Sequence, residues 1–181
     1  MEISKGKIRI KSFEEKELRP FWEISFGPRA DLEWMNWNGP YFNYPVVTWD
    51  EFRNGFGEQC LNNPNRAVIW YDNQMIGIVT AGWEDGELKQ WLDFGIAIYI
   101  PDFWSKGIGF EALTLWMSYL FMLYDYLPHI SFTTWSGNKG MMKLGEKLGM
   151  TKEAQIRKVR YWKGTYYDSI QYGLLRDEWE K

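Results

Sequence analysis

The sequence predicts an α/β protein built on a mixed sheet, and three observations carry that reading. Short alternating apolar runs of strand length recur along the whole chain. The segment near 107–124 places apolar residues at helical spacing, and a capping-box pattern opens a helix over about 14–26. The stretch over 92–135 reads strand–helix–strand, and such a crossover makes its two strands parallel. The turns at Asp72-Asn73 and Lys163-Gly164 belong instead to antiparallel hairpins. The expected order is β α α β β β α β α β β within a single domain spanning 1–181.

Taken in order, Lys7–Lys11 alternates and forms a strand. Ser12, with Glu15 three positions on, has the pattern of a capping box and opens a helix over about 14–26, closed by Gly27-Pro28. Residues 28–47 form a long loop carrying Trp34, Trp37, Tyr41, Phe42 and Tyr44. The chain as a whole has 12 Trp, 11 Tyr and 11 Phe, and a loop with so many rings is not disordered. Thr48 and Glu51 cap a second helix that ends at Asn62-Asn63-Pro64-Asn65. Strands at Arg66–Tyr71 and Met75–Trp83 flank Asp72-Asn73, and a third runs from Gln90 to Ile100. A helix over about 107–124, a strand at His129–Trp135 and a helix opened by Gly137-Asn138 follow. The strands 151–162 and 165–175 form a closing hairpin, whose edge is available for pairing with a second copy.

Composition removes several classes of function. The chain has 181 residues, 45% hydrophobic and 25% charged, so it can bury a full core and is not an extended disordered protein. Its net charge of −3 lacks the basic footprint of a nucleic-acid binder. No apolar run is long enough for a membrane span, and the first residues do not resemble a signal peptide. Cys60 is the single cysteine, which leaves no disulfide framework and no cysteine metal cluster. A cytoplasmic protein without a metal is expected.

Chemistry concentrates in Ile96–Ala112, where a strand passes through a loop with Gly107 and Gly109 directly into a helix. Glycines let backbone amides approach a ligand closely. A helix N-terminus adds unpaired N–H groups and partial positive charge, so the segment suits a phosphate. Gly107-x-Gly109-x-x-Ala112 formally fits a dinucleotide fingerprint, but Pro101–Lys106 separate it from the strand and no acidic residue ends the next one. No Gly-x-x-x-x-Gly-Lys-Ser/Thr string exists for a P-loop.

Three motifs in the right order resemble the GNAT superfamily of acetyl-CoA-dependent N-acetyltransferases. Trp104-Ser105-Lys106-Gly107-Ile108-Gly109 is similar to its Arg/Gln-x-x-Gly-x-Gly/Ala loop, with Trp104 at the Arg/Gln position. Asn138 with Glu146-Lys147-Leu148-Gly149-Met150 resembles its Asn…Glu-Lys-Leu-Gly-Phe segment, and the end, Tyr166 to Trp179, matches as well. Glu111-Ala112 after the glycines resembles the branch of ribosomal-protein N-terminal acetyltransferases. The resemblance covers nearly the whole chain. It implies a mixed central sheet, antiparallel in its N-terminal part, parallel around the coenzyme loop and ending in a hairpin.

It further implies acetyl-CoA as cosubstrate and a small-molecule amine or a protein N-terminus as acceptor, in a ternary complex. The amides of Trp104, Ser105, Lys106, Gly107, Ile108 and Gly109 would hold the coenzyme pyrophosphate. Ile98 and Tyr99 would pair with the pantetheine arm, the Tyr99 amide would polarise the thioester carbonyl, and Asn138 would bond the arm. The acid that many members carry as Tyr is replaced by Gly145, and the Ser of the ribosomal branch by Met141. Asp93, on the strand before the loop, is the candidate general base. Trp34, Trp37, Tyr41 and Phe42 would form the acceptor wall, next to Asp31 and Glu33, and attract a cationic or aromatic amine. Two other readings stand beside this one: an acyl-CoA sensor without turnover, and an aromatic-rich carbohydrate- or peptide-binding domain without coenzyme.

Overall fold

The protein is described by a computed structural model covering residues 1–179. Eight strands form one sheet in the order β1-β2-β3-β4-β5-β6-β8-β7. The chain packs as two compact units. The first comprises Met1–Asn38, Tyr44–Thr80 and Ile96–Trp116; the second comprises Gly39–Asn43, Ala81–Gly95 and the chain from Met117 onward. No helix among the described residues is long and apolar enough to cross a membrane.

In the first unit, β1 (Glu2–Lys5) and β2 (Ile8–Ser12) form an antiparallel hairpin around Gly6, with Ile3 opposite Ile10. Sequence reading finds only the second strand of this pair. Helix α1 (Glu15–Ser25) follows, and its cap is Glu14 rather than Ser12, which remains in β2. The Glu17 carboxylate turns back to accept the Glu14 N–H at 2.9 Å, so the reciprocal pattern holds two residues later than expected. Thr48 caps α2 (Trp49–Phe52) as the sequence predicts, through Glu51. A π-helical turn, Arg53–Gly57, carries the chain into α3 (Glu58–Cys60). Strand β3 (Arg66–Tyr71) and β4 (Gln74–Trp83) close a hairpin at Asp72 and Asn73, both left-handed. Phe13, Phe21, Trp22, Trp34, Phe52 and Tyr99 interlock as the buried ring cluster of this unit. Each ring removed from water contributes roughly 1.5–3 kcal/mol.

The second unit is built on the parallel pair. Strand β5 (Leu92–Ile98) meets β6 (His129–Trp135) in parallel register, Leu92 opposite Ile130 and Asp93 opposite Ser131. The helix between them, α4 (Ile108–Leu123), provides the crossover. Next come α5 (Lys139–Lys147), β7 (Thr151–Trp162) and β8 (Thr165–Leu175), and β8 rather than β7 lies against β6. A short α6 (Arg176–Trp179), which sequence reading does not separate, begins at Arg176. The Arg176 guanidinium donates to the carbonyls of Phe121, Tyr124 and Leu127 at 3.1, 2.8 and 2.9 Å. Of these, Phe121 O belongs to the last turn of α4, where carbonyls lack a helical donor.

Candidate active site

Strand β5 stops at Ile98, two residues short of the expected end, and Pro101–Phe103 makes a single tight turn. The Tyr99 N–H donates to Ile76 O of β4 at 2.9 Å. Alternate residues of a strand address opposite neighbours, so the peptide groups of Ile98 face the other edge. There the indole Nε1 of Trp104 donates to Ile98 O at 2.8 Å. Two expectations change with this geometry. The Tyr99 amide is committed within the sheet, and by the alternation the peptide groups of Ile98 turn away from β4. The Trp104 amide is likewise bonded to Pro101 O at 2.9 Å, which removes it from the expected cradle.

From Ser105 the loop has the form an anion needs. Ser105 is left-handed at φ 59°, an uncommon state for a residue with a Cβ. Gly107 is left-handed at φ 82°, and a Cβ placed on it would meet nothing within 4 Å. Glycine is therefore required here by conformation, and the space above it is open. The first bond of α4 runs from Glu111 N–H to Gly107 O at 3.2 Å. The amides from Gly107 to Phe110 precede it and have no acceptor within the helix. Amides without helical partners beside the open space at Gly107, at the positive end of a 16-residue helix, suit a pyrophosphate.

The aromatic residues separate into different roles. Trp34 is a core residue, 7% exposed. Its ring stands edge-on to Tyr99 at 4.8 Å, and its Nε1 donates to Ser25 O at 3.1 Å. Its expected place in an acceptor wall is thus corrected: packing against α1 takes the ring out of solvent. Tyr99 is buried beneath it, and desolvation pushes its hydroxyl well above the usual tyrosine range. Tyr41 and Phe42 belong to the second unit, where the Arg160 guanidinium lies over both rings at 5.0 and 5.4 Å. Those faces already hold a cation of the protein itself. Trp37 keeps an exposed ring. Tyr41→Ala is therefore expected to lower stability by about 2–3 kcal/mol, the sum of its ring contacts with Phe42 and Trp135 and of one cation–π contact, with the loss read as a lower urea midpoint.

Asp93 sits at the end of the paired register of β5 with β6 and is fully engaged. Ser131 Oγ donates to one carboxylate oxygen and the Thr133 N–H to the other at 3.0 Å, while Trp91 Nε1 donates to Ser131 Oγ at 2.9 Å. Burial pushes the carboxyl above the usual aspartate range, against the hydrogen bonds of Ser131 and Thr133 and the charge of His129. Burial, and then the charge of Asp93, raise Glu84 as well. Ser131, Thr133 and Trp91 were not among the residues singled out from sequence; a Ser and a Thr alternating on a strand beside an acidic one is the signal that was available. His129 pairs with the Glu153 carboxylate at 3.0 and 3.1 Å. Asn138 caps α5, its side-chain oxygen accepting the Met141 N–H at 3.0 Å.

The structure also explains Gly145. A Cβ there would stand 2.7 Å from the Phe132 ring and 3.2 Å from Tyr172, two rings that stack at 5.3 Å. No tyrosine can occupy this position without displacing that stack. Gly145→Ala is expected to cost 1–3 kcal/mol by overpacking, seen as a lower Tm.

The whole arrangement can be set beside known proteins. The acetyltransferase (GNAT) domain family matches residues 7–151, and the chain belongs to it. A prophage-derived N-acetyltransferase of Bacillus subtilis, YokL, is 30% identical over 109 residues, 60% of each chain. The chain thus spans about 60% of the length of this curated relative. Among solved structures, a spermidine N-acetyltransferase of Vibrio cholerae in complex with CoA and spermine superimposes with a TM-score of 0.77 at 19% identity, covering 97% of this chain and 99% of that one. RimL, a ribosomal L7/L12 α-N-protein acetyltransferase in complex with CoA, gives 0.74 at 15% identity, covering 98% and 99%. These two likenesses establish the fold.

Proposed function

We propose that the protein transfers an acetyl group from acetyl-CoA to a primary amine. The observation that carries this reading is the left-handed Ser105–Gly107 loop opening onto the free amides of α4. The two structural neighbours, which hold CoA and are named for a polyamine and a protein N-terminus, lend it support.

Acetyl-CoA supplies an activated acyl thioester. The amides of Ser105 to Gly109 would hold its pyrophosphate, and the outward edge of Ile98 would receive the pantetheine arm as an added strand. The Ile98 N–H, in place of that of Tyr99, would stand to the thioester carbonyl as an oxyanion-type donor; losing one such donor elsewhere costs about 3 kcal/mol. Asp93 would take the proton released by the amine, helped by a carboxyl affinity raised by burial. Asn138, which caps α5, would also bond the arm. With Gly145 closed to any side chain, the departing thiolate takes its proton from water, as a thiol of pKa near ~8.5 allows. We extend the reading to one domain acting as a whole, without a metal.

The test is coenzyme release from acetyl-CoA across a broad amine panel, with products identified by mass spectrometry. Acetylated products are expected. The closed Gly145 position favours a second reading, a coenzyme-binding protein without turnover. It predicts a rise in Tm with CoA and no product with any amine.

A further inference from the structure

A cavity of about 580 Å³ opens in the first unit, at the end of β5 where Tyr99, Ile100 and Pro101 form one wall. That volume suits a molecule of metabolite size. Its other walls are α1 and the turn that follows, and they bring two arginines and two carboxylates to one space: Arg19, Glu23, Arg29 and Asp31. The charges are not equivalent. Arg19 is spent, since its Nε donates to Glu23 at 3.2 Å and its guanidinium lies over the rings of Trp22 and Trp49 at 4.6 and 4.9 Å. Among the described residues neither Arg29 nor Asp31 is in an ion pair, although only one residue separates them. Asp31 is nevertheless oriented, because its Oδ1 accepts the Glu33 N–H at 2.9 Å.

We propose that this cavity receives the acceptor, and that the acceptor is a zwitterion bearing a primary ammonium and a carboxylate, of the amino-acid type. The proposal rests on the acetyl-transfer reading above. Electrostatics select the class. With Arg19 and Glu23 neutralising each other, one cation and one anion are left, so a diamine would bring its second cation to Arg29 and a dicarboxylate its second anion to Asp31. A zwitterion gives Arg29 a planar anion that its forked donors match and gives Asp31 the ammonium. Tyr99 and Ile100, which line the cavity, follow Ile98 directly in the chain. In the transfer the ammonium first loses one proton to a base. The amine nitrogen then bonds to the acyl carbon as the C–S bond breaks, and its second departing proton balances the released thiolate. The products are an N-acetyl amino acid, free coenzyme thiol and one proton.

The experiment compares matched acceptors: phenylalanine, its amide, 2-phenylethylamine and 1,4-diaminobutane. In the wild type kcat/KM for the acid is expected to exceed that for each of the other three by at least tenfold. In Arg29→Gln the preference for acid over amide should fall toward one. Equal or better turnover of the amide, the decarboxylated amine or the diamine overturns the proposal, as does a preference unchanged in Arg29→Gln. If no amine is acetylated although CoA binds, the transfer reading fails on its own. The cavity is then tested by calorimetric titration of phenylalanine into the CoA-loaded protein. Binding that weakens at least tenfold in Arg29→Gln supports a zwitterion site; no binding, or equal binding by both proteins, overturns it.

Discussion

Gly107→Val is expected to abolish the rise in Tm that CoA gives the wild-type protein, while the fold persists. The reason lies in two separate properties of the position. At φ 82° a residue with a Cβ is strained, and a β-branched one more so. Left-handed backbone costs roughly 1–2 kcal/mol, which a domain with a typical 5–15 kcal/mol of stability survives. A Cβ meets no protein atom within 4 Å, so the substitution clashes with nothing in the unliganded protein. It instead puts bulk into the open space beside the proposed coenzyme loop. Saturating ligand at a hundred times its Kd stabilises a native state by about 2.7 kcal/mol. A hundredfold loss of affinity, also about 2.7 kcal/mol, removes nearly all of that gain. Gly107→Ala should fall between the two proteins. Unchanged affinity in Gly107→Val would take the loop out of the coenzyme site.

Asp93→Asn is expected to lower turnover ~10²-fold or more, the scale on which a positioned general base acts, and to leave the CoA-induced rise in Tm in place. The pH dependence gives the second half of the test. Because burial raises the Asp93 carboxyl above its ordinary 3.8, the acid limb of kcat/KM should lie at higher pH than for an exposed aspartate, and Asp93→Asn should lose that limb. Stability moves the opposite way. A raised native pKa means the folded state holds more protons than the unfolded state within the window, so the contribution of Asp93 to stability is full below 3.8 and is lost as pH rises through the raised value. Asparagine can still accept from Ser131, but its amide then faces the Thr133 N–H, which leaves a donor unpaired at a cost of about 1–3 kcal/mol. Reduced Tm with wild-type turnover would return Asp93 to a purely structural role at the end of the β5–β6 register.

The order of elements was legible in the sequence because turns and caps are local. Thr48 with Glu51, Asp72-Asn73 and Lys163-Gly164 each fix a boundary from a few adjacent residues. Strand β1 was not legible, since Ile3 is its only apolar residue and its partner Ile10 lies across a turn. The loop that carries the candidate coenzyme site was visible through its glycines. The direction of its neighbouring amides was not: alternation says that Tyr99 and Ile98 face opposite edges, but only the pairing with Ile76 says which faces outward. Trp34 and Tyr41 looked alike as loop rings. Their different fates follow from partners far along the chain, Tyr99 for one and Arg160 for the other. The reason for Gly145 also lies at a distance, in the stack of Phe132 on Tyr172.

The placement of β8 between β6 and β7 has a consequence for synthesis. A ribosome makes the chain from its N-terminus, and the residues of the first unit have all been made once Trp116 is joined. The second unit is different. Strand β6 ends at Trp135, yet its antiparallel neighbour ends at Leu175, after α5 and β7 have been translated. Until then the β6 edge facing β8, with the buried Ile130 and Phe132 along it, is a nascent strand without its partner, and an unpaired apolar edge invites pairing with other chains. The vulnerable interval in the making of this unit is thus the stretch between Trp135 and Leu175, where a pause or truncation leaves β6 without its antiparallel neighbour.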